Sequence, residues 1–267
     1  MGTLILAVTT LFLYSLGTVL QTLFFRGRLQ SVTSLNTLIG LLGLVSHGAL
    51  IWEALIEPSA INLSFFHASL LISWLVLLLA LVVSALKPTQ ILFLVVYPLA
   101  ALSVLLTLVF HAPPHYVGHN WGMLSHVALS ITAYSLFTLS AAQALLVHLQ
   151  NRQLKHNYNS LLVRNLPPLM TMESLLFELL WAGVVVLTLA IVTGALFVDD
   201  LFAQDLAHKT LFSLLSWGVF TALLIGHYTQ GWRGITASRW TLSGCVLLML
   251  AYFGSKFVLE LVFQRPL

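Results

Sequence analysis

The sequence has few charged residues: only 7% of its 267 residues are Asp, Glu, Lys or Arg. A soluble domain carries about 25%, so the surface of this chain is too apolar to face water. Hydrophobic residues make up 59% of the chain, and its mean hydropathy is +0.99. The shortage of charge therefore excludes a soluble globular protein and predicts a protein embedded in a lipid bilayer.

Cysteine is also scarce, since Cys245 is the only one in the chain. A single cysteine excludes an internal disulfide, and without a CxxC or CxxCH motif the chain has neither a thiol-redox pair nor a site for covalent haem attachment. The sequence also has no Ser/His/Asp pattern, no HExxH motif and no phosphate-binding glycine loop. We therefore expect no enzyme active site.

Long apolar runs make up most of the chain, each about 20 residues and long enough to cross roughly 30 Å of hydrocarbon. Because the bilayer interior offers no water to backbone groups, such runs must be helices. We predict an all-α, polytopic membrane helix bundle that forms a single transmembrane domain over residues 1–267. Its eight predicted spans cover about residues 3–25, 33–55, 66–86, 90–110, 121–149, 174–198, 209–229 and 239–263.

Lysine and arginine predict the orientation of these spans. The loops after the first, third, fifth and seventh spans hold most of the basic residues: Arg26, Arg28, Lys87, Arg152, Lys155, Arg164, Arg233 and Arg239. Such loops face the cytoplasm, and they explain the net charge of +3 without nucleic acid as a partner. We expect a multi-pass membrane protein with both termini outside the cytoplasm, in a periplasm-like space.

One cytoplasmic connection contains two consecutive prolines, Pro167 and Pro168. Proline interrupts a helix, and acidic residues are common in a first helical turn. We therefore expect the next helix to begin at Thr171 or Met172, with Glu173 in its first turn.

Ten histidines are a large number for so apolar a chain. Polar side chains at membrane depth are expensive and usually face the bundle interior or a cofactor. His47 lies within the second predicted span, His126 near the outer end of the fifth, and His227 ends the seventh. Neutral imidazole is a good ligand for haem iron, and an arginine such as Arg233 suits a propionate. The residues alone leave a second interpretation open, in which each histidine is a hydrogen-bond donor between helices.

Several segments of the sequence resemble the cytochrome c assembly family, and within it the YpjD-like inner-membrane proteins. The resemblance covers about residues 35–260, and its most specific segments read "PPLMTME", "GHYTQGWRG" and "AYFGS". Members of this family include the CcsA- and CcmC-type proteins, which bind haem and present it at the outer membrane face. The resemblance implies a multi-pass protein of the bacterial inner membrane, with both termini in the periplasm, that binds b-type haem non-covalently. It also implies a partner among the membrane proteins of cytochrome or haem metabolism.

The resemblance also implies roles for particular residues. His47 matches the first intramembrane haem ligand of the family and His227 the second, while His126 matches a ligand at the outer face. Trp232 and Arg233 belong to the "GWRG" motif beside His227 and are expected to contact the cofactor. The predicted spans place His47 near mid-membrane and His227 near the cytoplasmic end. Two ligands of one iron must converge to within roughly 4 Å, so they share an iron only if the second span is displaced or tilted.

Two features of the family are missing from this chain. The tryptophan-rich segment WGxxWxWD is replaced by "VDDLFAQDLAHKTLFSLLSW", and the second outer histidine has no counterpart. These departures favour an alternative function, a membrane scaffold or regulatory partner that kept the fold without haem delivery. A third candidate is a transporter of another solute, although the sequence contains no inverted repeat of the kind that transporters use.

Overall fold

The computed structural model describes residues 2–29, 33–56, 60–110, 113–118, 120–156, 165–197 and 204–254. In these ranges it has eight helices long and apolar enough to cross a membrane, which confirms the all-α, polytopic fold. The helices are α1 Gly2–Phe25, α2 Thr33–Leu55, α3 Phe65–Leu86, α4 Phe93–Val109, α5 Trp121–His156, α6 Leu169–Phe197, α7 Gln204–Gln230 and α8 Gly234–Met249. A 3₁₀ turn, Gln90–Leu92, precedes α4, and a π-helical turn, Leu250–Gly254, follows α8.

Three helices, α6, α7 and α8, begin two or more residues earlier than the sequence predicted, and α7 begins at Gln204 rather than at 209. Helix α6 starts at Leu169 rather than at Thr171 or Met172, because the Pro168 carbonyl already accepts the Met172 amide at 3.2 Å. A proline is well tolerated at the start of a helix, where its missing N–H costs nothing.

Helix α8 starts at Gly234, five residues before the predicted span. Arg239 therefore lies inside a helix and not in the predicted loop. The predicted end of that span, at residue 263, lies outside the described residues. Helix α5 continues past its predicted limit of 149 to His156 and so extends into the connection that leads to α6.

The contacts between residues divide the chain into two compact units. The first comprises residues 1–116 and 159–167 and contains α1 to α4. Helix α1 packs against α2 and α4, and α3 packs against α2 and α4. The chain also has two three-residue strands, β1 (Ala60–Asn62) and β2 (Tyr116–Gly118), and within the first unit the Leu63 amide donates to the His115 carbonyl at 2.8 Å.

The second unit comprises residues 117–158 and 168–267 and contains α5 to α8. Helix α5 packs along α6 and also against α8, while α7 packs against α6 and α8. The Phe137 and Phe220 rings stack in its core with their centroids 3.9 Å apart. The prediction of a single transmembrane domain stays a prediction.

Candidate functional site

A tight turn between α7 and α8 builds the candidate site. Helix α7 ends at Gln230, and Gly231 and Gly234 take left-handed φ angles of +68° and +57°. Glycine reaches this conformation without steric cost, so the "GWRG" motif reverses the chain within a few residues. The turn folds the Trp232 indole over Gly226, where a Cβ atom would lie 2.4 Å from Trp232 Cε3. Trp232 therefore packs against the last turns of α7.

His227 is held in one orientation by this turn. Its Nδ1 lies 2.9 Å from the Trp232 carbonyl oxygen. Because a carbonyl only accepts hydrogen bonds, Nδ1 carries the proton and donates, and Nε2 of the neutral ring keeps its lone pair. On the other side the ring stacks on Phe177 of α6, with centroids 3.5 Å apart and planes at 19°. These contacts fix both the tautomer and the plane of the imidazole.

The His227 ring borders a cavity of about 640 Å³. Volumes of roughly 300–1,000 Å³ are typical of ligand sites. Aromatic and charged side chains line it together, and they include Phe177, Trp181, Tyr228 and Arg233. The structure thus brings together two of the predicted site residues, His227 and Arg233, at one cavity. A third, Trp232, contributes the carbonyl that bonds the His227 ring.

Arg233 is anchored by a residue that the sequence analysis did not select. Its Nε donates to Glu173 Oε2 at 3.1 Å, and the Glu173 side chain is only 9% exposed while that of Arg233 is 54% exposed. Glu173 and Phe177 are four residues apart on α6 and therefore share a face. Glu173 is the last residue of the "PPLMTME" segment, and its four-residue spacing from Phe177 was the available sequence signal. Only the fold shows that this helix face meets the "GWRG" turn.

His47 lies in the first unit and is completely buried. Its Nδ1 is 2.9 Å from the Tyr14 hydroxyl, and among the described residues its Nε2 has no partner within hydrogen-bond geometry. Buried polar atoms without a partner are rare because desolvation costs free energy. The unpaired imidazole nitrogen is therefore an exception that a bound ligand would explain.

His126 lies in the second unit, away from the His227 cavity. Its Nδ1 lies 2.8 Å from the Ala190 carbonyl, and its ring packs where a Cβ on Gly194 would lie 2.9 Å away. Ala190 and Phe177 are thirteen residues apart on α6, which corresponds to about 20 Å along the helix. His126 and His227 therefore cannot bind the same iron atom.

Clusters of three or more His, Cys, Asp or Glu side chains able to hold a metal ion are absent from the described ranges. The candidate ligands therefore occur singly: His227 at its cavity, His126 about 20 Å away along α6, and His47 in the first unit. Single histidines suit haem iron, whose remaining in-plane ligands come from the porphyrin itself.

Comparisons with known proteins agree with the resemblance seen in the sequence. A family model described as "Cytochrome C assembly protein" matches residues 35–263. Inner membrane protein YpjD of Escherichia coli strain K12 is 34% identical over 227 residues, which cover 83% of this chain and 85% of that protein. Protein HemX of Brevibacillus brevis is 29% identical over 134 residues, 49% of each chain. Cytochrome c biogenesis protein CcsA of Guillardia theta is 25% identical over 156 residues, 52% of each. No solved structure matches.

Proposed function

Because the chain belongs to the cytochrome c assembly protein family, we propose that it binds b-type haem non-covalently within the inner membrane and hands it on. The observation that carries the proposal is the state of His227. Its Nδ1 donates to the Trp232 carbonyl, so Nε2 keeps a free lone pair at the edge of a 640 Å³ cavity. The location follows the name of the Escherichia coli relative, which is an inner membrane protein.

The residues around the cavity fit the proposed cofactor. A neutral imidazole whose second nitrogen donates to a carbonyl is the usual arrangement of a metal-binding histidine. Trp181 is exposed and offers flat apolar surface to a macrocycle, while Phe177 stacks on the imidazole. Arg233 donates from its Nε to Glu173 and also lines the cavity, and a guanidinium suits a carboxylate such as a propionate.

His47 is proposed as a second intramembrane haem ligand. Its support is the unpaired Nε2, which is fully buried and has no hydrogen-bond partner. Coordination to iron would satisfy an atom that otherwise carries the cost of desolvation. His126 is proposed as a ligand at the outer face or a remnant of one, since its Nε2 is also left with a lone pair by the Ala190 contact.

The roles of the protein in this proposal are binding, orientation and exclusion of water. Bound haem would supply an iron centre able to change oxidation state. His227 would be a haem ligand at its cavity and His47 a haem ligand in the first unit, the Trp232 carbonyl would fix the His227 tautomer, and Arg233 would hold a carboxylate. We propose that no protein nucleophile takes part and that the recipient is another membrane protein of cytochrome or haem metabolism.

The test is an absorption spectrum of the detergent-purified protein, expressed with ample haem and recorded oxidised and after reduction with dithionite. We expect the wild type to show a Soret band and sharp α and β bands after reduction. His227→Ala should lose or shift these bands, because the variant lacks the axial nitrogen. His227→Gln should behave in the same way, since an amide keeps a hydrogen bond but is a poor iron ligand.

His67→Ala is the matched control, because His67 borders a different cavity in the first unit and bonds Ser64. It should leave the bands unchanged. Folded wild-type protein with no haem spectrum would contradict the proposal and favour a scaffold or regulatory partner. Uptake of another solute that continues after haem depletion would instead favour a transporter.

A further inference from the structure

The contact between Tyr14 and His47 joins a helix outside the family match to a candidate ligand inside it. The match begins at residue 35, so α1 is not part of it. Nevertheless the Tyr14 hydroxyl lies 2.9 Å from His47 Nδ1, and both side chains are fully buried. Tyr14 therefore lies outside the region that the family model matches.

The hydrogen bonds around this contact favour one tautomer of His47. The Tyr14 hydroxyl also lies 3.2 Å from the Gly43 carbonyl, which can only accept. If Tyr14 donates to Gly43, then His47 Nδ1–H donates to the Tyr14 oxygen, and both protons have acceptors. If Tyr14 instead donates to Nδ1, the proton moves to Nε2, which has no partner within hydrogen-bond geometry among the described residues, because the nearby Leu70 carbonyl is too poorly placed to accept it well. A buried donor with only such a poorly placed acceptor is the more costly state, so the first arrangement is favoured.

The Tyr14 ring is tightly confined where it lies. A Cβ atom on Gly43 would be 2.5 Å from Tyr14 Cε1, so only glycine leaves room for the ring. On its other side the ring stacks with Tyr97, with centroids 5.9 Å apart. The Tyr14 hydroxyl is therefore fixed relative to α2.

We propose that Tyr14 is a positioning residue that holds His47 as the Nδ1–H tautomer and leaves the Nε2 lone pair free for a metal. The inference rests on the proposed function, because a positioning role presupposes His47 as a ligand. An acceptor on the second nitrogen makes an imidazole a better electron donor to its metal, and loss of such a partner typically weakens binding about 10–100-fold.

The tautomer can be measured without haem. The ¹⁵N NMR spectrum of the full chain in lipid, labelled at histidine, distinguishes protonated from unprotonated ring nitrogens, and His47→Gln identifies the His47 signals. We expect wild-type Nε2 to be unprotonated. In Tyr14→Phe, which keeps the ring but removes the acceptor, the proton should move toward Nε2, because the Leu70 carbonyl is the other acceptor beside the imidazole.

Tyr97→Phe is the matched control, since it removes a hydroxyl that is equally buried but bonds Asn36 rather than His47. Its His47 signals should match those of the wild type. A protonated Nε2 in the wild type, or the same tautomer in Tyr14→Phe, would overturn the inference whether or not haem binds.

A second measurement uses the haem-loaded protein. Tyr14→Phe should lose haem to apomyoglobin about tenfold faster than the wild type, and its reduction potential should rise because the ligand is a weaker donor. Tyr97→Phe should change neither value. If His47→Gln leaves the spectrum and potential unaltered, the ligand assignment fails. If His47→Gln alters them but Tyr14→Phe does not, haem binding stands and the positioning role is refuted.

Discussion

Replacing Gly43 by alanine tests how rigidly α1 and α2 hold the Tyr14 ring. The new Cβ would lie 2.5 Å from Tyr14 Cε1 and 3.1 Å from Cδ1. The ring cannot retreat easily, because Tyr97 stacks behind it and its hydroxyl bonds both Gly43 and His47. The variant must therefore either separate the two helices or displace the ring.

The expected cost of Gly43→Ala follows from three contributions. Overpacking of this kind costs about 1–3 kcal/mol, and a lost Tyr14 hydrogen bond adds about 0.5–1.5 kcal/mol. Alanine offsets about 1 kcal/mol through its higher helix propensity. We therefore expect a net destabilisation of roughly 0.5–3.5 kcal/mol from these contributions.

The assay is unfolding in mixed micelles titrated with dodecyl sulfate, followed by tryptophan fluorescence. Gly218→Ala is the control, because no atom lies within 4 Å of its added Cβ and it lies within helix α7. That control should be neutral or gain up to about 1 kcal/mol from propensity alone. If both variants are equally stable, the Tyr14 ring yields readily, and the argument that it fixes the His47 tautomer loses its basis.

Two further predictions concern the "GWRG" turn. In Gly226→Ala the added Cβ would clash with the Trp232 indole at 2.4 Å, so the carbonyl that orients His227 should move; the haem bands should broaden or weaken, and an unchanged spectrum would contradict this. In Glu173→Gln the Arg233 side chain loses its ionic partner; because Arg233 is about half exposed, the stability loss should stay below about 1 kcal/mol. That loss should shrink in high salt, and a salt-independent loss would show that packing, not charge, causes it.

The membrane class, the number of helices and most of their bounds were predictable from the sequence. Long apolar runs must form helices in lipid, because each backbone group has to be satisfied within its own segment. The starts of α6 and α8 were placed too late, since Pro168 and Gly234 were taken as part of loops, whereas both border the first turn of a helix. Proline and glycine are ambiguous at such boundaries, because both are common at helix ends.

The candidate site was predictable only in part. His227, Trp232 and Arg233 are close in sequence, and the turn keeps them together. Glu173 and Phe177 come from another helix, fifty or more residues away, and no local pattern shows that α6 meets this turn. Tyr14 was missed for the same reason, because a tyrosine in an apolar span is indistinguishable from an ordinary core residue until its neighbour on α2 is known.

The sequence by itself determined that this chain crosses a membrane with eight helices, because hydropathy and run length depend only on local composition. It also identified His47, His126 and His227 as candidate ligands. Only the tertiary structure decided what each imidazole does with its two nitrogens. A hydrogen bond needs a partner within about 3 Å, and the partners of His47 and His126, Tyr14 and the Ala190 carbonyl, come from other helices. Helix packing, not sequence distance, brings them within reach.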